Sequence, residues 1–252
     1  MIEIKKEQCV GCGACVRVCP TALLRMKENK PKAVHKLCMH CGHCQGVCPT
    51  DAILFQNIKG TPKVVEEKVG FSQLQNHIES NRSIRFYQDK LVEQEKIKTI
   101  LRVLDHSASA KNNQLVEWIV VSGKEKVQEI SDLVTQNLPP NHEVLTTIKH
   151  IRNPITCSAP HLLIAYTNDN AVKGYDDCVI KTTLATMLMH SEGIGSCFLG
   201  YLAGFINAIP DVKTYLELKD NETVYSALSF GYHDQEDYKK IPLREEAPVH
   251  FL

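Results

Sequence analysis

Charge of one sign is the first thing this sequence lacks. Lys and Arg number 29, as do Asp and Glu, so with its 11 histidines neutral the 252-residue chain carries no net charge. Without a basic block it has no electrostatic footprint of a nucleic-acid binder. Long apolar runs are missing too. The longest uncharged stretch, Gly193 to Pro210, contains four glycines, Ser196 and Asn207, which reads as strand, turn and short helix rather than a bilayer span. The opening MIEIKKEQCV has no apolar core of a secretory signal. The expectation is a soluble, cytoplasmic protein with no nucleic-acid or membrane partner. Familiar catalytic motifs are also absent: there is no G-x-x-x-x-G-K-[ST], no H-E-x-x-H and no G-x-S-x-G. GCGACV at 11–16 and GIGSCF at 193–198 lack the third glycine of a dinucleotide fingerprint.

Cysteine, by contrast, is abundant. Eleven are present, eight of them between Cys9 and Cys48, with Cys157, Cys178 and Cys197 apart. In a chain read as cytoplasmic, metal binding or catalysis is favoured over disulfides. Residues 9–20, CVGCGACVRVCP, and 38–49, CMHCGHCQGVCP, repeat C-x2-C-x2-C-x3-C-P at an offset of 29. This is the bacterial ferredoxin spacing, in which the fourth Cys of each run ligates the other cluster. It predicts one [4Fe–4S] on Cys9, Cys12, Cys15 and Cys48, and a second on Cys38, Cys41, Cys44 and Cys19. Zinc is the competing reading, but paired C-x2-C units do not explain a third cysteine at the same short spacing in both runs. Residues 1–60 carry nine basic and four acidic residues, net +5, a balance that two anionic clusters would offset. His40 and His43 flank ligands and read as spacers.

Beyond Phe55 a polar connector, NIKGTPKVVEEKVG, with at most one strand, leads into a different pattern. Phe71, Leu74 and Ile78 have helical spacing, with Ser72 as N-cap. A helix is predicted near 93–106, strands at 116–121, 161–166, 195–199 and 223–230, a helix opening at Gly123-Lys124, and a long apolar helix at 176–192 ended by Gly193. Interleaved helices and well-separated strands give a mixed α/β or α+β domain. The domains are expected at 1–62 and 63–252.

An FMN site remains open to such a domain, because it needs only a phosphate cradle and amides around the ring. NRSIRFY at 81–87 places two guanidiniums and a hydroxyl together, a good anion cradle. It is followed by the donor-rich SASAKNNQLVEW at 107–118, SAPHLLIAY at 158–166, GIGSCFLG at 193–200 and, after Gly231-Tyr232, KKIPLRE at 239–245. On these segments, from about Phe71 to Leu252, the chain resembles the nitroreductase family of FMN enzymes.

That resemblance implies roles. Arg82, Ser83 and Arg85 would hold the FMN phosphate, ribityl chain and ring edge, with Arg244 also on the phosphate. Ser109, Ala110 and Asn112 match a turn that reaches flavin from a neighbouring subunit, with Gln114 beside it. Leu199 and Gly200 match the strip facing flavin N5, and Arg152 the pyrimidine edge. The family implies an α+β fold and a homodimer with flavin at its interface. Asn81, Lys111 and Leu115 depart from the family's usual residues. Cys197 lies in the flavin strip and is either a redox thiol or, like Cys157 and Cys178, the small buried apolar side chain that free Cys usually is.

A cluster module joined to a flavin domain predicts an oxidoreductase passing electrons through two [4Fe–4S] clusters to FMN and on to a nitroaromatic, quinone or similar acceptor. No catalytic side chain is singled out. The donor is either an external electron-carrier protein or NAD(P)H, which the resemblance suggests. An electron-transfer adaptor to a protein acceptor and a redox sensor or flavin-handling protein are the alternatives, since fold does not settle function.

Overall fold

The computed structural model describes residues 2–56, 62–146, 153–233 and 240–252. The chain forms two compact units, Met1–Lys68 with Lys111–Asn113, and Val69–Ala110 with Gln114–Leu252. Among the described residues no helix is long and apolar enough to cross a membrane.

In chain order the first unit holds β1 (Ile2–Ile4), α1 (Ala14–Arg17), β2 (Leu24–Lys27), β3 (Lys30–Ala33), α2 (His43–Gly46) and β4 (Ile53–Phe55). The 29-residue repeat is visible in the backbone. Gly13 and Gly42 each cap one of the two short helices in left-handed conformation, at φ 70° and 77°. Gly11 and its equivalent His40 are left-handed as well, and so are Ala22 and Asp51. The strain at His40 is held against Gly-like geometry by the fold around it. Gly11 has a second reason to be glycine: an added Cβ would lie 2.5 Å from the Asn29 carbonyl oxygen. Glu28 and Asn29, both with positive φ, form a two-residue turn between β2 and β3, as the twist of a tight hairpin favours. β1 pairs antiparallel with β4, Ile2 opposite Phe55, so the two ends of the repeat close on each other over Cys15, Leu23, Leu24 and Ile53.

The second unit contains α3 (Phe71–Ser80), α4 (Gln94–Leu104), a 3-10 turn that starts at Ala110, β5 (Glu117–Ser122), α5 (Lys124–Asn137), α6 (Glu143–Thr146), β6 (His161–Asn168), α7 (Gly174–Ser191), β7 (Ile194–Phe198), α8 (Gly200–Ala208), α9 (Pro210–Tyr215) and β8 (Glu222–Tyr232). Its antiparallel sheet runs β5-β6-β8-β7. Helices cover both faces. Leu163, Leu228 and Phe230 pack with Ile97, Ile100, Leu104 and Met189 of α4 and α7. On the opposite face Leu162, Ile164 and Ala227 pack with residues of α5, α8 and α9, including Ile130, Leu202 and Val212. Burial on both sides explains why β6 is nearly all apolar instead of alternating. The register with β6 slips between Ala165 and Tyr166, leaving Tyr225 of β8 as the extra residue, a β-bulge.

Two local expectations are corrected. The N-cap of the first long helix is Gly70, not Ser72: Gln73 Oε1 accepts from the Gly70 amide at 3.2 Å, which starts the helix at Phe71 and leaves Ser72 inside it. The buried face of the long helix α7 is mixed rather than apolar throughout, with Cys178, Ala185 and Met189 beside polar groups. Asp177, Lys181, Thr182 and Thr186 are buried, whereas Ile180 and Leu184 are exposed. Lys181 Nζ is satisfied by the Leu104 carbonyl at 2.8 Å, and Asp177 Oδ1 by the Ala110 amide at 2.8 Å. The connector carries no strand over 62–70, and its residues 57–61 lie outside the described ones.

Candidate functional site

In the first unit the eight clustered cysteines ring two hollows of near-equal size. One is lined by Cys9, Cys12, Cys15 and Cys48 and the other by Cys19, Cys38, Cys41 and Cys44, each of about 20 Å³. Each hollow takes three sulfurs from one run and the fourth from the other. Left-handed glycines at the start of α1 and α2 make this possible by turning the chain inside each C-x2-C-x2-C loop. Among the described residues no three His, Cys, Asp or Glu side chains converge tightly enough for a single metal ion. A tetrahedral zinc site would need four sulfurs about 2.3 Å from one point, whereas sulfurs spread around a hollow suit a cubane, so the residues fit the cluster reading. Polar groups already reach the sulfurs. The His40 amide donates to Cys38 Sγ at 3.4 Å and the Ala52 amide to Cys48 Sγ at 3.3 Å. Thr21 and Thr50 hydroxyls lie 3.5 and 3.8 Å from Cys19 and Cys48 Sγ, again at equivalent positions of the repeat. Burial pushes the Cys15 thiol up and that of its equivalent Cys44 up to about 11, so iron loading must displace protons.

In the second unit a cavity of about 700 Å³ opens beside β7 and α8, within the range of small-molecule sites. Ile155, Cys157, Cys197, Phe198, Leu199 and Phe205 form much of its wall, and Arg85 brings the charge. The segment carrying Arg85 is held across β7: the Ile84 amide donates to the Ser196 carbonyl at 2.9 Å and Ser83 forms an isolated bridge with Ser196. Gly195 allows this approach, since a Cβ there would sit 2.7 Å from Ile84 side-chain atoms. Gly200 and Tyr201, the first residues of α8, also line the cavity. First-turn amides of a helix have no intrahelical acceptor and carry its positive end. A flat apolar ring with an edge that takes negative charge fits these walls.

Two matches decide the family. Residues 78–232 match the nitroreductase family and residues 8–52 the 4Fe-4S dicluster domain. The chain belongs to the nitroreductase family. Its N-terminal part is a 4Fe–4S dicluster domain. An Archaeoglobus fulgidus protein provisionally named NADH dehydrogenase/NAD(P)H nitroreductase is 29% identical over 164 residues, covering 64% of this chain and 86% of that one. A nitroreductase with bound FMN from Bacteroides fragilis has a similar fold, at TM-score 0.60 and 19% identity over 71% of this chain and 98% of that one. So does a nitroreductase with bound FMN from Desulfitobacterium hafniense, at TM-score 0.60 and 17% identity over 71% and 97%.

Within this nitroreductase domain the residues singled out by sequence are only partly gathered. Arg85, Leu199 and Gly200 line the 700 Å³ cavity, and Ser83 lies next to it, bridged to Ser196 of β7. Arg82 lines a different hollow with Asn81, Ile84 and Gly195, its Nη1 donating to the Asn81 carbonyl at 2.6 Å. Ser109, Ala110 and Gln114 form a hydrogen-bonded turn: Ser109 Oγ accepts the Gln114 amide at 3.1 Å, Gln114 Nε2 donates to the Ser107 carbonyl at 2.8 Å, and Ala110 is tied to Asp177. Asn112 groups with the first unit, where its Nδ2 donates to the Met39 and His40 carbonyls, each at 3.0 Å. Arg244 is exposed in the C-terminal segment, and Arg152 lies outside the described residues. The sequence reading missed Phe205 and Cys157 as cavity residues. Phe205 sits in a helix whose apolar face gave no hint of which side lines a cavity, and Cys157 lies 40 residues from its cavity neighbour Cys197.

Proposed function

We propose that the protein is an FMN-dependent oxidoreductase in which two [4Fe–4S] clusters feed electrons to the flavin and an electron-poor organic acceptor, such as a nitroaromatic or a quinone, removes them. The observation that carries this reading is the presence, in one nitroreductase chain, of two four-cysteine hollows and an apolar cavity bearing the Arg85 guanidinium. When bound, FMN accepts electrons singly or in pairs and delivers them as hydride or stepwise. Cys9, Cys12, Cys15 and Cys48 would hold one cluster, Cys19, Cys38, Cys41 and Cys44 the other.

The chain's own residues do the rest. Arg85 and the first amides of α8 hold negative charge at the cavity wall, a preorganised field that needs no rearrangement as charge builds. Phe198, Leu199 and Phe205 exclude water from one side of the cavity and strengthen that field. Arg82, Ser83 and Arg244 are proposed to assist with the phosphate, and Ser109, Ala110, Asn112, Gln114 and Arg152 with the flavin surroundings. No side chain is assigned as proton donor. A homodimer is supported by the exposed apolar residues Phe71, Leu74 and Ile78 of α3 and Ile180 and Leu184 of α7, two helices that touch each other and leave apolar surface in water.

Anaerobic titration of the as-isolated protein with reduced ferredoxin, and separately with NADH and NADPH, tests the reading by following cluster and flavin absorbance. Bleaching of both chromophores by at least one donor, and reoxidation by a nitroaromatic or quinone, is expected. A preparation that binds no flavin, or clusters whose reduction never reaches it, overturns the proposal. Arg85→Ala is expected to weaken flavin retention by roughly 10-fold or more, the scale of a charge-assisted contact, measured as flavin released on gel filtration.

A further inference from the structure

The two cysteine loops of the first unit are alike in backbone and unlike in what surrounds them. The Cys9–Cys12 loop lies against the tip of the β2–β3 hairpin: a Cβ on Gly11 would meet the Asn29 carbonyl oxygen at 2.5 Å, and one on Gly13 would come within 3.6 Å of Arg17 Nη1 and 3.9 Å of Met26 Sδ. Lys30 Nζ donates to the Cys9 carbonyl and, at 3.3 Å, to that of Lys6, while Arg17 Nη1 donates to the Cys12 carbonyl at 3.2 Å. Of the eight clustered cysteines Cys12 is the exposed one, and Val10 beside it is 65% exposed. The Cys38–Cys41 loop is instead engaged by Asn112, and Cys41 and Met39, the equivalents of Cys12 and Val10, are half-buried.

The hairpin is charged in a way that its own folding opposes. Register sets Arg25 opposite Lys32 and Lys27 opposite Lys30, so alternation puts four cations on one face, while Leu24 and Pro31 of the other face are buried. Like charges directly opposite one another destabilise a strand pair. Arg25 and Lys27 are exposed and make no ion pair among the described residues. Glu28 at the turn is shared between Lys32, at 3.0 Å, and Lys6; the other carboxylate of this stretch is the exposed Glu7, just before the loop. Twenty-nine residues on, Leu54 and Gln56 stand where Arg25 and Lys27 do, so the repeat itself does not call for the cations.

We propose that this face of the hairpin is the docking surface for an acidic one-electron carrier protein, and that the hollow of Cys9, Cys12, Cys15 and Cys48 is where its electron enters. An acidic partner relieves the repulsion between the opposed cations, which accounts for positive charge kept where folding alone disfavours it. Val10 and Met26 add exposed apolar surface beside the exposed Cys12, enough for the small contact of a transient electron-transfer pair. Each encounter moves one electron from the reduced carrier to the cluster held by those four cysteines; no bond forms or breaks and no proton is transferred. What this docking takes from the function proposed above is only that the hollow holds an electron-carrying cluster; it rests on neither the flavin nor the final acceptor.

The probe is an acidic plant-type [2Fe–2S] ferredoxin, oxidised for binding and reduced for stopped-flow reduction of the full-length, cluster-loaded protein. Expected are a dissociation constant that rises roughly 10-fold or more between about 0.01 and 0.15 M ionic strength, carbodiimide crosslinks from Lys27 or Lys32 to ferredoxin carboxylates, and a cluster-reduction rate that falls with salt in parallel. Lys27→Glu should lower that rate about 10-fold, whereas Lys126→Glu, the same change of charge on α5, should leave it within about 2-fold of the parent's. Because Lys27→Glu sets opposite charges across from each other at Lys30, its thermal midpoint should be no lower than the parent's, which separates lost docking from lost folding. Reduction by the methyl viologen radical cation, which needs no docking, should not slow in either variant. Salt-independent binding, crosslinks confined to lysines outside the hairpin, Lys27→Glu behaving as Lys126→Glu, or Lys27→Glu slowing both reductants alike overturns the proposal, and the first two need no variant. Clusters that take electrons from ferredoxin but never pass them to flavin overturn the function proposed above and leave the docking surface standing.

Discussion

At the residue scale, His161 is the clearest case of burial deciding protonation. It is 1% exposed at the start of β6, accepts the Val92 amide on Nε2 at 2.9 Å, pairs through Nδ1 with Ser122 Oγ at 3.0 Å, and stacks on Phe230. Burial brings it down to about 4. The unfolded chain then binds the proton more readily than the folded one, so the stability it contributes is full above about pH 6.5 and lost as pH falls toward 4. A drop of about 2 kcal/mol between pH 7 and 5 is expected from this residue, read as a difference in urea midpoint that His161→Gln flattens. The same scale governs the sulfur hydrogen bonds. Thr50→Val removes the hydroxyl from Cys48 Sγ and is expected to lower the potential of that cluster, because such bonds stabilise the more negative reduced state; an EPR-monitored redox titration checks it. Some of this detail was legible in advance. The eight cysteines and Arg85 were, because their spacing or neighbours carry a chemical signal, whereas Cys157 gave none, since its place in the cavity wall depends on the fold.

At the element scale the crossing of residues 83–84 over β7 positions the cavity's cation. Gly195→Ala places a methyl against Ile84 where only 2.7 Å is available. Overpacking of this kind costs about 1–3 kcal/mol, so a lower thermal midpoint and weaker flavin retention are expected together, whereas Gly46→Ala, with open space at its Cβ and no place in that cavity, should leave both near the parent's. Strands and long helices were readable from periodicity: the expected strand at 161–166 is the core of β6 (His161–Asn168), and Gly193, left-handed at φ +69°, does end α7. Helix polarity was not readable. The buried Lys181 Nζ and Asp177 Oδ1 are met by carbonyl and amide groups of distant segments, while Asp177 Oδ2 has no hydrogen-bond partner among the described residues; a single sequence does not reveal such partners. The short α6 and α9 were missed because four to six residues span too little of a helical period.

At the scale of the whole molecule, the two redox modules were separable in the sequence because their constraints differ: the first unit is built around sulfur spacing, the second around an apolar sheet. The partition of the cysteines makes a molecular prediction. Cys48→Ser should abolish the same EPR signal as Cys9→Ser, and Cys19→Ser the same one as Cys41→Ser, although the shared signals join residues from opposite runs. Loss by run instead of by hollow would contradict the arrangement of the two hollows. That arrangement has a historical corollary. One 29-residue copy supplies three walls of a four-walled cage, so a half-length ancestor could complete a cage only against a twin, and joining the two copies end to end turned an encounter between molecules into a certainty within one.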